Sequence, residues 1–218
     1  MRQLLLAAGL SLLLCAAQAG AAIAPPAALP ADASASLDPA EAPAGAYTLD
    51  PRHASVTWRV RHTGVGIYVA RFDAIAATLN FDPQNPAASS LDAVIDANSV
   101  NTGLVNDDGE RAFDREIAEV LGAESAPQIR FVSRSIELTG PASGLIEGDL
   151  TLNGQTHPAT LEAQFQGGRF VQLRGKHVLA FSGRTIINRR EWDAGSLIFN
   201  QFAGDEVEIL IEAEFVKD

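Results

Sequence analysis

The sequence predicts an all-β fold, an antiparallel sheet closed as a barrel or packed as a sandwich, crossed by one amphipathic helix. Three observations carry this. Apolar residues recur at every second position through most of the chain after Tyr47, the mark of strands with one dry face. Turn-forming pairs punctuate those runs, with Asn153-Gly154 lying between two alternating segments as a hairpin signal. One segment alone, Asp107 to Gly122, switches to helical spacing, with Phe113, Ile117, Val120 and Leu121 on one side and charged residues between them.

The elements follow in order. Met1-Arg2, an apolar run from Leu4 to Ala17 and the small-x-small site Ala17-Gln18-Ala19 read as a secretory signal peptide over residues 1–19. The run is shorter than the ~20 residues a spanning helix needs, so no stable membrane insertion is expected. Cys15, the one cysteine, belongs to that run because Leu14 precedes it, where a lipoprotein signal needs a small residue. The exported chain would then hold no thiol, which excludes disulfides and Cys-ligated metals. Residues 20–45 are dominated by Ala, Pro, Ser and Gly, with five prolines between Pro25 and Pro43, and read as a disordered linker.

From Tyr47 the strands begin. Val56, Trp58 and Val60 share one face, as do Ile75, Ala77, Leu79 and Phe81. Ile146, Gly148, Leu150 and Leu152 share another, then Ala159, Leu161, Ala163 and Phe165, then Val207, Ile209, Ile211, Ala213 and Phe215. Further strands are expected near residues 67–73, 91–98, 128–138 and 170–187, with Gly167-Gly168 as a turn before the last. A short turn is expected near Arg189 to Trp192. About eight to ten one-sided strands close best as a barrel or pack as a sandwich. The sequence shows one domain and no repeat.

Charge narrows function. The formal net charge is −11, and loss of Arg2 with the signal makes the remainder more acidic. No basic footprint for nucleic acid exists. The four histidines, His53, His62, His157 and His177, share no metal-ligand spacing, so no metal is expected. No G-x-S-x-G elbow, phosphate loop or dinucleotide fingerprint occurs, so no catalytic residue and no cofactor is assigned. His62 continues the parity of Val56, Trp58 and Val60, while His177 shares that of Leu179 and Phe181. Each is either a strand-end histidine paired with backbone or water, or a contact to a ligand head group. Arg189 either caps the turn after Ile186-Ile187 or meets an anionic head. Two readings of the inward faces stand side by side: small residues, Ala77, Ala93, Ala97, Ala159, Ala163 and Ala213, leave room for a ligand, or Trp58, Phe72, Phe131, Phe165 and Phe181 fill the space.

An ordered series of motifs over residues 46–218 resembles the YceI-like family of polyisoprenoid-binding proteins. It runs through Tyr47-Thr48-Leu49-Asp50 with His53, Val60-Arg61-His62-Thr63-Gly64, Arg71-Phe72 and Leu79-Asn80-Phe81-Asp82-Pro83. It continues through Ser99-Val100-Asn101-Thr102-Gly103, Pro127-Gln128-Ile129-Arg130-Phe131 and the Gly148-to-Gly154 hairpin. Phe181, Ile187-Asn188-Arg189 and Gly204-Asp205-Glu206-Val207 close it. The resemblance implies a lipocalin-like antiparallel β-barrel, export to the periplasm, and a polyprenyl chain or quinone held in an apolar tunnel. That tunnel would be lined by Trp58, Val60, Phe72, Leu79, Ile95, Phe131, Leu150, Phe165, Phe181, Ile187, Ile209 and Ile211. His62, His177 and Arg189 would stand near the head group. Two other readings remain open: an exported enzyme acting on an apolar substrate in the same cavity, and a filled-core β-sandwich interaction module.

Overall fold

Strand β1 (Gly45–His62) organises the fold, because it changes both its face and its partner midway. Tyr47 and Leu49 point inward on odd positions, whereas Val56 and Val60 point inward on even ones. The change falls at Asp50–His53, where the register against β10 (Ala203–Lys217) slips between Leu49 and Ala54. Such a bulge inserts unpaired residues and re-aims everything beyond it. Asp50 holds it: Oδ1 accepts the Arg52 amide at 3.0 Å and Oδ2 lies 2.8 Å from His53 Nδ1. Arg174 adds a 2.5 Å bond to the same carboxylate. The His53 contact, then Arg174 against the opposing effect of burial, keeps the Asp50 carboxyl below the usual range.

The structure, a computed structural model, describes residues 35–218. After β1 come β2 (Gly66–Phe72), β3 (Ile75–Phe81), β4 (Ser90–Asp96), β5 (Val100–Asn101), β6 (Gln128–Gly140), β7 (Ser143–Leu152), β8 (Gln155–Val171) and β9 (Lys176–Asn188), before β10. Helix α1 (Ala112–Val120) sits between β5 and β6, and the single turn α2 (Phe199–Phe202) precedes β10. The N-terminal part of β1 pairs with β3 and its C-terminal part with β2, so β2 and β3 act as one broken strand. β5 continues β4 in the same way, pairing with β2 where β4 pairs with β3. Eight strand positions result, and β10 pairs back onto β1, so the sheet closes. A closed ring of antiparallel pairings is a barrel, which settles the choice against a sandwich.

Two apolar clusters pack inside the wall. One, near the helix, gathers Val56, Phe72, Ile117, Ile129, Leu150, Ile187 and Trp192. The other, toward the opposite end, gathers Tyr47, Leu49, Leu79, Phe81, Phe165, Leu179 and Phe215. Asn153 and Gly154, with φ of 50° and 72°, form the tight β7–β8 turn expected of that pair.

Four expectations need correction. The helix is shorter than Asp107 to Gly122: it starts at Ala112, because Asn106 Oδ1 captures the amides of Asp108 and Glu110 at 3.1 and 2.7 Å and Gly109 turns with φ 79°. It ends at Val120, and Gly122 just beyond turns the chain away with φ 75°. Residues 170–187 are not one strand, since β8 ends at Val171 and β9 begins at Lys176. Nor is Gly167-Gly168 a turn; it is a bulge within β8, with Gly167 at φ 145°. Glycine is required there because a Cβ would lie 3.3 Å from Ser36 O and 3.4 Å from Ala35 Cβ. That approach explains the fourth correction. Within the stretch read as a disordered linker, Ser36 exchanges two 2.9 Å backbone bonds with Gly168, and Pro39–Glu41 form a 3-10 turn capped by Asp38. The Tyr47 hydroxyl then anchors Pro43 O at 2.6 Å. The signal peptide and the rest of the linker lie outside the described residues.

Candidate functional site

The barrel encloses a cavity of about 940 Å³, at the large end of the range for small-molecule sites. Its walls come from β1–β4 and β6–β10, and its lining is almost wholly apolar. Room comes from small inward residues: Ala77, Ala93, Ala159, Ala163, Gly183 and Ala213 all border it. Ala97 does not; it is wholly buried in the cluster beneath α1.

Both ends are built by segments outside the strands. At one end Asp38, Pro39 and Ala40 reach the cavity and form a floor with Pro83, Pro86 and Pro141. At the other, α1 lays Phe113, Ile117, Val120 and Leu121 over the opening, the side its spacing marks as apolar. Phe113 stacks on Phe199 of α2, with ring centroids 6.2 Å apart. Leu104, Ile198 and Phe202 border the cavity while standing 52%, 67% and 48% exposed, so they form an apolar lip.

Helix α1 is held in place by Asp114. This buried carboxylate accepts the Thr102 amide at 2.8 Å, the Thr102 hydroxyl at 2.5 Å and Arg111 Nε at 2.5 Å. Burial alone would raise Asp114, but those donors outweigh it and keep the carboxyl below its ordinary value.

All twelve expected tunnel residues border the cavity: Trp58, Val60, Phe72, Leu79, Ile95, Phe131, Leu150, Phe165, Phe181, Ile187, Ile209 and Ile211. The three expected head-group residues diverge. His62 stands at the lip, its ring stacked on Phe202 at 6.5 Å. His177 lies at the floor end of β9 against Phe170, outside the cavity lining. Arg189 borders the cavity but is 7% exposed and has its donors engaged. Nε bonds Gly204 O, Nη2 bonds Ala203 O, and Nη1 bonds both Ala194 O and Asn200 Oδ1, all at 2.8–2.9 Å. Burial, with repulsion from Arg190, pulls its guanidinium below the ordinary value. Of the two roles open to Arg189, the geometry supports the cap: it pins the loop between β9 and β10.

Two residues absent from the expected set stand out. Tyr68 enters the cavity from β2 beside Trp58, ring centroids 6.1 Å apart, and meets the Phe113 ring nearly at right angles. The Tyr68 hydroxyl and the Trp58 indole N–H are both buried without a hydrogen-bond partner. Tyr68 shares the parity of Phe72, a signal masked by the outward Ile67 and Val69 on the same strand. Trp192, the other tryptophan, is fully paired: Nε1 donates to Leu150 O at 3.0 Å.

Asp50, His53 and Glu214 bring ligand atoms within 4.8 Å of one another. The Arg174 guanidinium already sits on Asp50, so that cluster is an ion-pair network around the β1 bulge.

The family model for the YceI-like domain matches residues 47–215. The chain belongs to the YceI-like family. Protein YceI of Salmonella arizonae and of Salmonella heidelberg are each 32% identical over 176 residues, covering 80% of this chain and 88% of theirs. Solved relatives share the YceI-like fold. Burkholderia cenocepacia BcnA superposes with a TM-score of 0.66 at 21% identity, over 76% of this chain and 98% of BcnA. The Campylobacter jejuni YCEI protein gives 0.59 at 24% identity, over 71% and 87%. A polyisoprenoid binding domain from Saccharophagus degradans, implicated in plant cell wall breakdown, gives 0.55 at 13% identity, over 79% and 98%. Within this YceI-like barrel the apolar cavity runs among residues of nine strands.

Proposed function

We propose that this protein binds one long isoprenoid chain, a polyprenyl lipid or a quinone, inside the barrel and carries or sequesters it in the periplasm without catalysing a reaction. The observation that carries the reading is the cavity: one continuous apolar space from floor to lip, bordered by residues of nine strands. Each CH₂-sized group moved from water into such a space contributes ~0.8 kcal/mol, so several isoprene units bind without any charged group, against the cost of ordering the chain. The apolar lip of Leu104, Ile198 and Phe202 supports an entry path for a lipid. The signal pattern of residues 1–19 supports export, and the YceI-like membership supports the ligand class.

Native mass spectrometry of the protein purified from its source would reveal the bound lipid as an added mass. Delipidated protein titrated with a fluorescent prenyl analogue should bind one equivalent. A folded protein that binds no prenyl analogue would overturn the reading.

A further inference from the structure

Two donors buried in an apolar cavity need an acceptor. A buried N–H or O–H left unpaired costs about 1–3 kcal/mol, and such groups are rare in native structures. Trp58 Nε1 and Tyr68 Oη are both in that condition, both border the cavity, and their rings are neighbours. The surrounding polar groups are otherwise matched. The Trp192 indole donates to Leu150 O. Asp114 takes three donors, one of them the Thr102 hydroxyl that approaches Tyr68.

We propose that Trp58 Nε1 and Tyr68 Oη form a two-donor site for a neutral oxygen acceptor, of carbonyl type, on the polar end of the bound isoprenoid. The inference rests on the carrier reading and assigns the chemistry and place of the head. An indole N–H only donates, so the ligand must accept. Burial raises the Tyr68 hydroxyl above its ordinary value against the opposing effect of the nearby Thr102 hydroxyl, with Asp114 adding to the rise, so it remains a protonated donor at neutral pH. Charge argues against an anionic head. Arg189, the one guanidinium among the described residues that borders the cavity, has its donors on Gly204, Ala203, Ala194 and Asn200. Asp38, Glu116 and Glu212 also border the space and would repel a phosphate. The site lies beneath α1, because the Tyr68 ring meets Phe113 at 6.1 Å. The head therefore sits under the helix, and the chain runs down toward Leu79, Phe165 and the floor.

The test compares two probes of equal length on delipidated protein: a prenyl ketone, geranylgeranylacetone, and the matching prenyl hydrocarbon. The wild type should bind the ketone about tenfold more tightly, the equivalent of one to two hydrogen bonds. Tyr68→Phe and Trp58→Phe should each narrow the preference for the ketone over the hydrocarbon by about three- to tenfold, whatever either change does to both probes alike. A second readout needs no variant: of the two indole N–H resonances, the ketone should shift that of Trp58, the hydrocarbon should not, and Trp192 should stay in place. Equal binding of both probes, or equal loss of both in Tyr68→Phe, would overturn the head site while leaving the carrier reading standing, and would mean that ordered water satisfies the two donors. If neither probe binds, the carrier reading falls and takes the head site with it.

Discussion

Arg189 Nη1 donates to Asn200 Oδ1 at 2.8 Å, and through this bond a side chain at the end of β9 fixes the α2 turn at the cavity lip. The same guanidinium satisfies the carbonyls of Ala194, Ala203 and Gly204, so one buried cation holds both ends of the loop. Arg189→Ala would leave several buried acceptors unpaired and is expected to cost about 3 kcal/mol, whereas Asn200→Ala should cost about 1 kcal/mol. Urea denaturation measures both. A neutral Arg189→Ala would show that the loop holds its place without it.

Acid should unfold the protein through a defined set of carboxylates. The His53 contact and Arg174 hold Asp50 below its ordinary value. Arg130 does the same for Asp92. At Asp114 and Glu208 burial opposes the shift, but Thr102 with Arg111, and Arg59 with Arg184, prevail. A carboxyl whose folded value is depressed contributes stability that is present above its unfolded value, ~3.9–4.3, and is lost as pH falls toward the folded value. The urea midpoint should therefore carry this contribution in full above about pH 5 and decline below about pH 4. Asp114→Asn should lower stability at neutral pH and make the acid decline shallower. A midpoint that rises on acidification would contradict the assignment.

The floor depends on a glycine. Gly167 stands at φ 145°, and a Cβ there would press on Ser36 O and Ala35 Cβ. Gly167→Val should detach the Ser36 bridge, lower stability by about 1–3 kcal/mol through strain, and expose residues 36–42 to protease. Limited proteolysis with mass mapping would show cleavage there. Protection equal to wild type would mean that the segment does not depend on this contact.

Much of the wall was legible because alternation is a local property. Val56, Trp58 and Val60 face inward together, as do Ile209, Ile211 and Phe215, and every expected tunnel residue reaches the cavity. Helix α1 likewise presents the apolar side that its spacing marks. What stayed hidden depends on partners distant in sequence. The switch of parity in β1 rests on Asp50 meeting Arg174, and the floor rests on Gly168 meeting Ser36. Arg189 has the same sequence whether its donors face a ligand or the carbonyls of residues 194–204; only the fold of that loop decides. Tyr68 was obscured because Ile67 and Val69, about half exposed, give β2 apolar residues on both faces.

Filling the cavity should separate binding from folding. Ile209 pairs with Trp58 on β1 and with Thr185 on β9, and it borders the space kept open by Thr185 and Gly183. An indole at this position would project into volume that a bound chain needs, next to Trp58. A well-packed core would resist such an enlargement at about 1–3 kcal/mol, but an open cavity offers room and new contacts. Ile209→Trp should therefore keep its β signature in circular dichroism and a urea midpoint at or above that of the delipidated wild type. Its affinity for a fluorescent prenyl analogue should fall at least about tenfold, the equivalent of excluding two CH₂-sized groups. Trp58→Ala acts in the opposite sense, because truncating a large aromatic ring costs about 3–5 kcal/mol while enlarging the space. If Ile209→Trp folds and still binds the analogue as the wild type does, the ligand does not pass between β1 and β9, and the tunnel must be assigned to another part of the barrel.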